Sequence, residues 1–462
     1  MSVLSEVSLP SFDLPNEMPH VGREEYIERI IESHSRICDL GCDGWVVYAD
    51  RENFANLTFL TDHDPRFESA LLVVVDPASP ILVIGTEGMG YSQLSPINLD
   101  RILYQGFNVM GSDRSQAPRL EPLLREAGLK RGQNVGVVGA KYVGKTECDE
   151  PSQWFDVPAF LIDSLSQVVG ARDRLCNVTQ VFTNPKDGLR ATNSVDQLAA
   201  FEFASSHCSH AVRNLLECVK PGMTEFEAVQ EMGLNGMPLS AHLMFSTGPR
   251  AIYGLASPEQ RIIEKGDPFM VALGYRGGLV ARAGYIAEGI DDLHADSRNY
   301  VPEFVGPFFD GVATWYETLG LGVSGGSLMN TMEDVFSGAP FSMLLNPGHL
   351  IHLDEYLNSP MYKGSDVCLN TGSLMQMDII PVPSGDHHTC NVEDTIAIVD
   401  ESGRDILSKN YPAVWQRILK RRNFMIDVLG IKLKPEVLPF SNMAACLQPF
   451  ALDRTRAMVA GS

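Results

Sequence analysis

The sequence predicts a mixed α/β chain of the α+β type, with an N-terminal α/β domain and a larger C-terminal domain built on a curved sheet. The chain has 462 residues, whereas single hydrophobic cores stop growing near roughly 250 to 300 residues. Short apolar runs separated by turns and helical stretches fill the first third. Apolar segments rich in glycine follow from Pro268 to Val399, and they indicate the curved sheet.

The first domain is predicted to comprise residues 1–189. Isoleucines near helical spacing predict a helix over Glu25 to Leu40, which ends where Gly41 and Gly44 interrupt the pattern. The runs LLVVVD, ILVIG and VGVVG have the length and composition of short buried strands. A helical stretch at Leu120 to Glu126 separates two of them. Strands that alternate with helices are typical of an α/β domain.

The second domain is predicted to comprise residues 190–430. A helix with apolar residues largely on one face begins after Ser194 and stops at Pro221-Gly222. Thr224 and Glu227 form a capping-box pattern, which begins another helix at once.

The end of the chain is predicted to be a helix followed by a tail. Pro412 at its start and Gly430 at its end bracket a closing amphipathic helix. The segment 431–462 contains several prolines. We therefore expect it to lie over the surface of the protein or over a partner subunit.

Composition excludes several classes of function. Asp and Glu outnumber Lys and Arg by 58 to 36, so sequence-independent binding to nucleic acid or to anionic lipid is disfavoured. The odd number of cysteines, nine, suits a reducing compartment. The N-terminus lacks the pattern of a signal peptide, and no apolar run is long enough to span a membrane. We expect a cytoplasmic protein.

One short pattern resembles a phosphate-binding loop. Gly139 to Thr146 fits G-x-x-x-x-G-K-[ST] and follows a predicted strand. Such a loop needs a helix after it, because the helix N-terminus holds the anion. Here Glu147, Asp149, Glu150 and Pro151 follow, and they place negative charge beside the supposed phosphates. The sequence therefore favours a strand with a surface turn.

An ordered series of short motifs occupies the second half of the chain. In order they are PGMTE from Pro221, STGPR from Ser246, EKGD from Glu264, PGHLIHLDE from Pro347, MDIIP from Met377 and NVEDT from Asn391. Their order and spacing resemble the creatinase, aminopeptidase P and methionine aminopeptidase family. The resemblance implies a smaller N-terminal domain, a pita-bread catalytic domain and a homodimer with pockets near the subunit boundary.

The peptidase branch of that family implies a site for two metal ions, held by two Asp, one His and two Glu. Two hard cations need several anionic oxygens to balance their charge, and together they generate hydroxide at neutral pH. His349 matches the His, Asp378 stands where the first Glu is expected and Glu393 matches the second Glu. Ala272 and Leu279 stand where the two Asp are expected. We hypothesise that no tight two-metal centre forms.

The metal-free branch, typified by creatinase, implies hydrolysis of a C–N bond by a His base, with carboxylates that bind a cationic substrate. This sequence departs from that pattern too. Leu255 occupies the place of the base and Ala281 that of a substrate-binding Glu, although Asp378 corresponds to another. Tyr356 occupies the position that often holds a second His in the peptidases.

His349, Asp378 and Glu393 are predicted to converge in one pocket, and three interpretations stay open. The imidazole could act as a general base with the carboxylates orienting it. The three side chains could instead hold a single divalent ion, although no cofactor is required. They could also be hydrogen-bonded to one another in a site without chemistry.

Five further residues are candidates for binding the substrate. Arg250 or Arg282 could hold a substrate carboxylate through a bidentate pair, or could form a structural ion pair with an acidic residue of the chain. Asp354 and Glu355 either line the pocket or are solvated at a strand end. Tyr356 could supply a hydroxyl group.

Other histidines are weaker candidates. His352 is predicted to face away from the site in an extended strand. His207 and His210 lie one helical turn apart and are more typical of ordinary, partly exposed residues than of metal ligands. His387 and His388 lie in a polar loop, where a surface turn is favoured over a place at the rim of the pocket.

The sequence thus leads to three hypotheses. The first is a cytoplasmic homodimeric hydrolase that cleaves a C–N bond in a small polar substrate derived from amino acids. The second is a catalytically silent pita-bread protein that binds a metabolite or a partner. The third is a conventional metal-dependent Xaa-Pro peptidase, against which the missing Asp pair argues.

Overall fold

The structure, a computed structural model, describes residues 1–115, 117–383 and 390–461. The chain forms two compact units. One, the contiguous unit, comprises Val21–Arg190. The other, the discontinuous unit, comprises Met1–His20 together with the chain from Ala191 onward. The predicted first domain of 1–189 is therefore wrong at its beginning, because the first twenty residues belong to the other unit.

The chain begins with β1 (Val3–Glu6) and then forms the contiguous unit, whose helices and strands alternate. They are α1 (Arg23–Asp39), β2 (Gly44–Ala49), α2 (Ala55–Thr61), β3 (Ala70–Val74), β4 (Ile81–Ile84), α3 (Thr86–Tyr91), β5 (Asp100–Leu103), α4 (Leu120–Glu126), β6 (Val135–Val138), α5 (Ala159–Val169), β7 (Leu175–Asn177) and α6 (Gln180–Thr183).

The sheet of the contiguous unit has the order β5-β4-β3-β2-β6-β7. Its strands are parallel except where β3 runs antiparallel to both of its neighbours. The apolar runs predicted as strands supply its buried centre, and Leu124 and Leu165 pack α4 and α5 against it. The prediction of an N-terminal α/β domain is confirmed.

The loop after β6 explains why the phosphate-loop pattern is misleading. No α-helix begins between Gly139 and Pro158, all of which the structure describes. The backbone amides of Ala140 and Lys141 instead donate to Asp156 Oδ2, at 2.9 Å and 2.7 Å. A carboxylate of the chain itself thus occupies the place that a phosphate would take.

The discontinuous unit contains the remaining helices and strands. They are α7 (Val195–Cys218), α8 (Glu225–Gln230), β8 (Met244–Thr247), β9 (Pro268–Tyr275), β10 (Gly278–Tyr285), α9 (Gly306–Thr318), α10 (Gly325–Val335), β11 (Phe341–Met343), β12 (His349–Leu350), β13 (Ser373–Met377), β14 (Pro381–Pro383), β15 (Asn391–Ile398), α11 (Glu401–Asn410), α12 (Pro412–Asn423), β16 (Val437–Pro439) and β17 (Arg456–Val459).

The main sheet of the discontinuous unit is antiparallel, with the order β12-β13-β15-β10-β9-β8 and with β16 paired to the end of β15. Side-chain hydrogen bonds to backbone amides cap the first turns of α7 and α8. The Ser194 side chain accepts from the Gln197 amide at the start of α7, and Thr224 with Glu227 forms the predicted capping box of α8.

The hairpin between β9 and β10 depends on one glycine. Gly277 has φ +95°, and a Cβ there would lie 1.9 Å from a ring carbon of Phe201. Only glycine can therefore make this turn against α7, because any other residue would combine a strained backbone with a clash against Phe201. The turn fixes the register of β9 against β10.

The predicted surface tail, 431–462, is instead part of the core. Strand β16 pairs with β15 and strand β17 pairs with β1, while Phe440 and Leu447 are fully buried. The prediction of a surface layer is wrong because the apolar residues of this segment fill the centre of the unit.

A buried ion-pair network ties α7 to α12 and to this segment. Glu202 on α7 is fully buried and accepts hydrogen bonds from Arg417 Nε at 2.9 Å and from Arg421 Nη1 at 2.7 Å. Arg421 Nη2 also donates to Asn442 Oδ1 at 2.7 Å. Arg417 Nη2 donates to the other carboxylate oxygen of Glu202, so both oxygens and both guanidinium groups have partners inside the protein.

In the part of the chain that the structure describes, no helix has the length and apolar character needed to cross a membrane.

Candidate active site

Three strands of the main sheet carry the candidate reactive residues. His349 begins β12, Asp378 directly follows β13 and Glu393 lies on β15. Because β13 lies between β12 and β15, the three side chains meet on one face of the sheet. A nitrogen of His349 and carboxylate oxygens of the other two lie within 4.8 Å of one another. All three residues are buried.

The His349 ring has a defined tautomer. Its Nδ1 lies 3.1 Å from the carbonyl oxygen of Leu350, and a carbonyl can only accept, so Nδ1 carries the proton. Nε2 then presents a lone pair, 3.6 Å from Glu355 Oε1 and 3.9 Å from Asp378 Oδ2. Burial lowers the pKa of His349 to about 4. The ring is therefore neutral at pH 7, which suits a ligand or acceptor better than a general base or acid.

The carboxyl groups around His349 are shifted in the opposite direction. Burial, and then the charge of Glu355, raise the pKa of Asp378 to about 7. Burial, and then the charge of Asp378, raise the pKa of Glu393 well above its ordinary value. Burial, and then the charge of Asp354, raise the pKa of Glu355 to about 7. Without a cation the cluster therefore retains protons near neutral pH.

The loop after β12 covers one side of His349. The ring of Tyr356 stacks on the imidazole with 4.2 Å between ring centroids and 23° between planes. The Glu355 side chain, 32% exposed, connects the cluster to solvent. The charge of Asp354 contributes to the raised pKa of Glu355. The structure thus brings Tyr356 and Glu355 against His349.

The hairpin beside Glu393 supplies no carboxylate. In the sheet register Ala281 lies opposite Glu393 on one side and opposite Ala272 on the other. Side chains alternate along a strand, so Leu279 shares this face with Ala281. On this face β9 carries Pro268, Met270, Ala272 and Gly274, and β10 carries Leu279, Ala281, Ala283 and Tyr285.

His349, Asp378 and Glu393 could hold one metal ion. Ligand atoms bound at about 2.0 to 2.2 Å from one ion lie about 3 to 4 Å apart, close to the spacing around His349. Within the described residues, His349 Nε2 and Asp378 Oδ1 are buried without a hydrogen-bond partner. The pair of carboxylates expected for a second ion is missing, because neither β9 nor β10 contains an Asp or a Glu.

The two arginines expected to anchor a substrate are engaged elsewhere. Arg282 points to the opposite face of the sheet, where its Nη2 lies 2.9 Å and 3.0 Å from the Asp394 carboxylate oxygens. Arg250 Nη1 lies 3.0 Å from a carboxylate oxygen of the buried Glu225 and 3.0 Å from one of Glu259. Both arginines thus form ion pairs with acidic residues of the chain, which is the second of the two roles considered for them. Neither guanidinium group is placed as a substrate anchor.

The sequence reasoning missed a polar network next to His349. Gln376, the cross-strand partner of His349, donates from Nε2 to the Leu279 carbonyl at 2.7 Å. Thr395 Oγ1 donates to Gln376 Oε1 at 3.0 Å. The period-two alternation of β13 contained the signal, because Gln376 stands two residues before Asp378 and shares its face.

The remaining histidine candidates make other contacts or fall outside the described residues. His352 is buried with its ring edge-on to Phe201 at 5.0 Å. His207 is hydrogen-bonded at both ring nitrogens, to the Pro15 carbonyl and to Asn235. His207 therefore has an ordinary structural role and is not placed as a metal ligand. His387 and His388 lie outside the described residues.

Solved structures of several peptidases share this fold. No protein-family model and no curated protein matches the sequence. The Xaa-Pro dipeptidase from Bacillus anthracis is 14% identical, with 82% of this chain and 96% of that chain covered and a TM-score of 0.60. The prolidase from Thermococcus sibiricus is 15% identical, with coverage of 81% and 95% and a TM-score of 0.63. A histidine-to-alanine variant of Escherichia coli aminopeptidase P is 12% identical, with 87% of this chain and 100% of that chain covered and a TM-score of 0.54.

At these identities the likeness shows the fold. The prediction of an N-terminal α/β domain followed by a pita-bread domain with a curved sheet is confirmed.

Proposed function

We propose that this chain, which has the fold of the prolidases and aminopeptidase P, is a hydrolase that cleaves a C–N bond in a small polar molecule derived from amino acids. The observation that carries the proposal is the convergence of His349, Asp378 and Glu393 in one buried cluster with unsatisfied polar atoms. Buried polar atoms without partners are costly, and a substrate or an ion would remove that cost.

Each side chain has a role that its surroundings support. Neutral His349 offers the Nε2 lone pair as a ligand or acceptor. Glu355 is partly exposed and has a pKa raised to about 7, so it can exchange a proton with solvent near neutral pH and act as general acid or base. Asp378 and Glu393 orient the substrate or hold a cation. Tyr356 excludes water from one face of the imidazole.

A single divalent ion is compatible with this proposal. His349, Asp378 and Glu393 would hold it, and it would polarise the scissile carbonyl or activate a water molecule. The apolar face of β9 and β10 argues against the two-metal peptidase. Function as a homodimer stays a prediction.

We expect no more than one equivalent of manganese, iron or zinc per chain in protein purified without chelators. The reason is the absence of carboxylates on β9 and β10 beside Glu393. Elemental analysis of the parent, of His349→Ala and of His294→Ala would measure this. His294 is 79% exposed and serves as the matched control. Two equivalents in the parent would contradict the proposed site.

We expect turnover of at least one compound in a panel of Xaa-Pro dipeptides, creatine-like guanidino compounds and ectoine-like cyclic amidines, followed by mass spectrometry of the released amine. The variants His349→Ala and Asp378→Asn should lose about 10²-fold or more. His294→Ala should keep the parent rate.

The catalytically silent alternative makes a different prediction for the same panel. It is favoured by one observation, the replacement of the expected Asp pair by apolar residues. A compound that raises the melting temperature of the parent, fails to do so for His349→Ala and yields no product would establish a binding protein.

A further inference from the structure

The contiguous unit contains an arginine-lined cleft that plays no part in the proposed hydrolase. Its volume is about 760 Å³, and it lies between α4 and the C-terminal end of α5. Three arginines line it: Arg119 before α4, Arg125 in the last turn of α4 and Arg131 in the following loop. All three are exposed.

Within the part of the chain that the structure describes, these three arginines lack the carboxylate partner that many other arginines have. Acidic residues outnumber basic ones in this chain, so carboxylate partners are plentiful. Arginines paired in this way include Arg29, Arg36, Arg66, Arg213, Arg250, Arg261, Arg282, Arg417, Arg421 and Arg456. Among the described residues, no carboxylate oxygen lies within 4.0 Å of the charged groups of Arg119, Arg125 or Arg131.

Two of the three side chains lie against the C-terminal end of α5. Arg125 donates from Nη1 to the Val168 carbonyl at 3.2 Å and from Nη2 to the Gln167 carbonyl at 3.5 Å. Gly170 ends α5 with φ +99°, and a Cβ there would lie 3.3 Å from Cγ and Cζ of Arg131. The Arg131 side chain therefore lies directly over the end of the helix.

The helix end compensates only part of the positive charge. The C-terminal carbonyls of a helix carry roughly half a negative charge. Glu121 is the acidic residue that lines the cleft, and its Oε1 accepts a hydrogen bond from Ser164 at 2.9 Å. Three guanidinium groups thus leave the cleft with a net positive charge, on a chain whose formal net charge is −22.

We propose that this cleft binds a small molecule that carries two or more phosphate groups. Guanidinium groups bind phosphate oxygens in bidentate geometry, which explains arginine rather than lysine at all three positions. The proposal is independent of the hydrolase function.

Isothermal titration of the full chain with pyrophosphate tests the cleft. The protein is first treated with chelator and dialysed, so that pyrophosphate cannot bind through a metal ion. We expect one saturable site whose affinity falls as salt is added. The double variant Arg119→Gln/Arg131→Gln should bind at least about tenfold more weakly. Arg131→Lys keeps the positive charge and loses the bidentate guanidinium geometry. Its affinity for pyrophosphate should lie between the affinities of the parent and of the double variant.

Arg51→Gln is the matched control. Arg51 belongs to the same unit, is 73% exposed and lies outside the cleft, so its loss should leave pyrophosphate binding unchanged. The assignment fails if the parent shows no saturable binding at millimolar pyrophosphate, or if the double variant binds like the parent. It also fails if Arg51→Gln weakens binding as much as the double variant does. Citrate that binds as tightly as pyrophosphate would overturn the assignment to phosphate.

Discussion

Replacing Glu202 by glutamine is expected to destabilise the discontinuous unit by about 3 to 5 kcal/mol. Glu202 is fully buried, and its carboxylate compensates both Arg417 and Arg421. The amide keeps the shape and removes the negative charge, so two guanidinium groups are left in the core without their counterion. Breaking a buried pair costs far more than the intact pair contributes.

Urea unfolding of the parent and of Glu202→Gln would measure this loss. Glu217→Gln is the control on the same helix, because Glu217 is half exposed and pairs with Arg213 in a surface i,i+4 pair. It should cost less than about 0.5 kcal/mol. A loss below about 1 kcal/mol for Glu202→Gln would mean that the arginines find other partners when the charge is removed.

The metal-free protein is expected to lose stability as the pH rises from about 4 to about 7. The pKa of Asp378 is raised to about 7 in the folded protein, whereas an unfolded Asp titrates near 4. Between these values the folded state holds a proton that the unfolded state has released. Stability is therefore full below the unfolded pKa and is lost as the pH rises through the folded pKa. Glu355, with a pKa near 7, acts in the same direction.

Asp378→Asn should consequently be more stable than the parent at pH 8, by on the order of 2 to 4 kcal/mol, and should match it near pH 4. Thermal unfolding of both proteins at several pH values would measure the difference. Exposed Asp366→Asn is the control, and it should follow the parent at each pH. With zinc or manganese present at pH 8, the parent should instead be more stable than Asp378→Asn. The reason is that the ion binds the ionised His349, Asp378 and Glu393 cluster of the parent. A parent more stable than Asp378→Asn at pH 8 in the presence of chelator would contradict the assigned shifts.

Local signals in the sequence were sufficient for much of the fold. Ser194, Thr224 and Glu227 act through hydrogen bonds to neighbouring amides, so the starts of α7 and α8 could be predicted from a few residues. Buried strands such as β3 and β6 are continuous apolar runs. The resemblance of the motifs to a known family also led to the prediction that His349, Asp378 and Glu393 converge, and their polar atoms lie within 4.8 Å of one another.

Features set by distant contacts could not be predicted. The register across the β9–β10 hairpin depends on Gly277, and it places Ala281 directly opposite Ala272 with Leu279 two residues away. The ion pair of Arg250 with Glu225 joins parts of the chain that are separated by a strand and a loop. The low pKa of His349 is a result of burial, which no spacing of residues reveals.

The pairing of β1 with β17 constrains the order in which the protein can fold during synthesis. Strand β17 follows every other strand of the discontinuous unit in the sequence, and Gly461 lies against the backbone of Met1. The contiguous unit is complete once Arg190 has left the ribosome, so it can fold first. Strand β1 must wait for β17, although it is made first, and it waits tethered to the contiguous unit that has already folded.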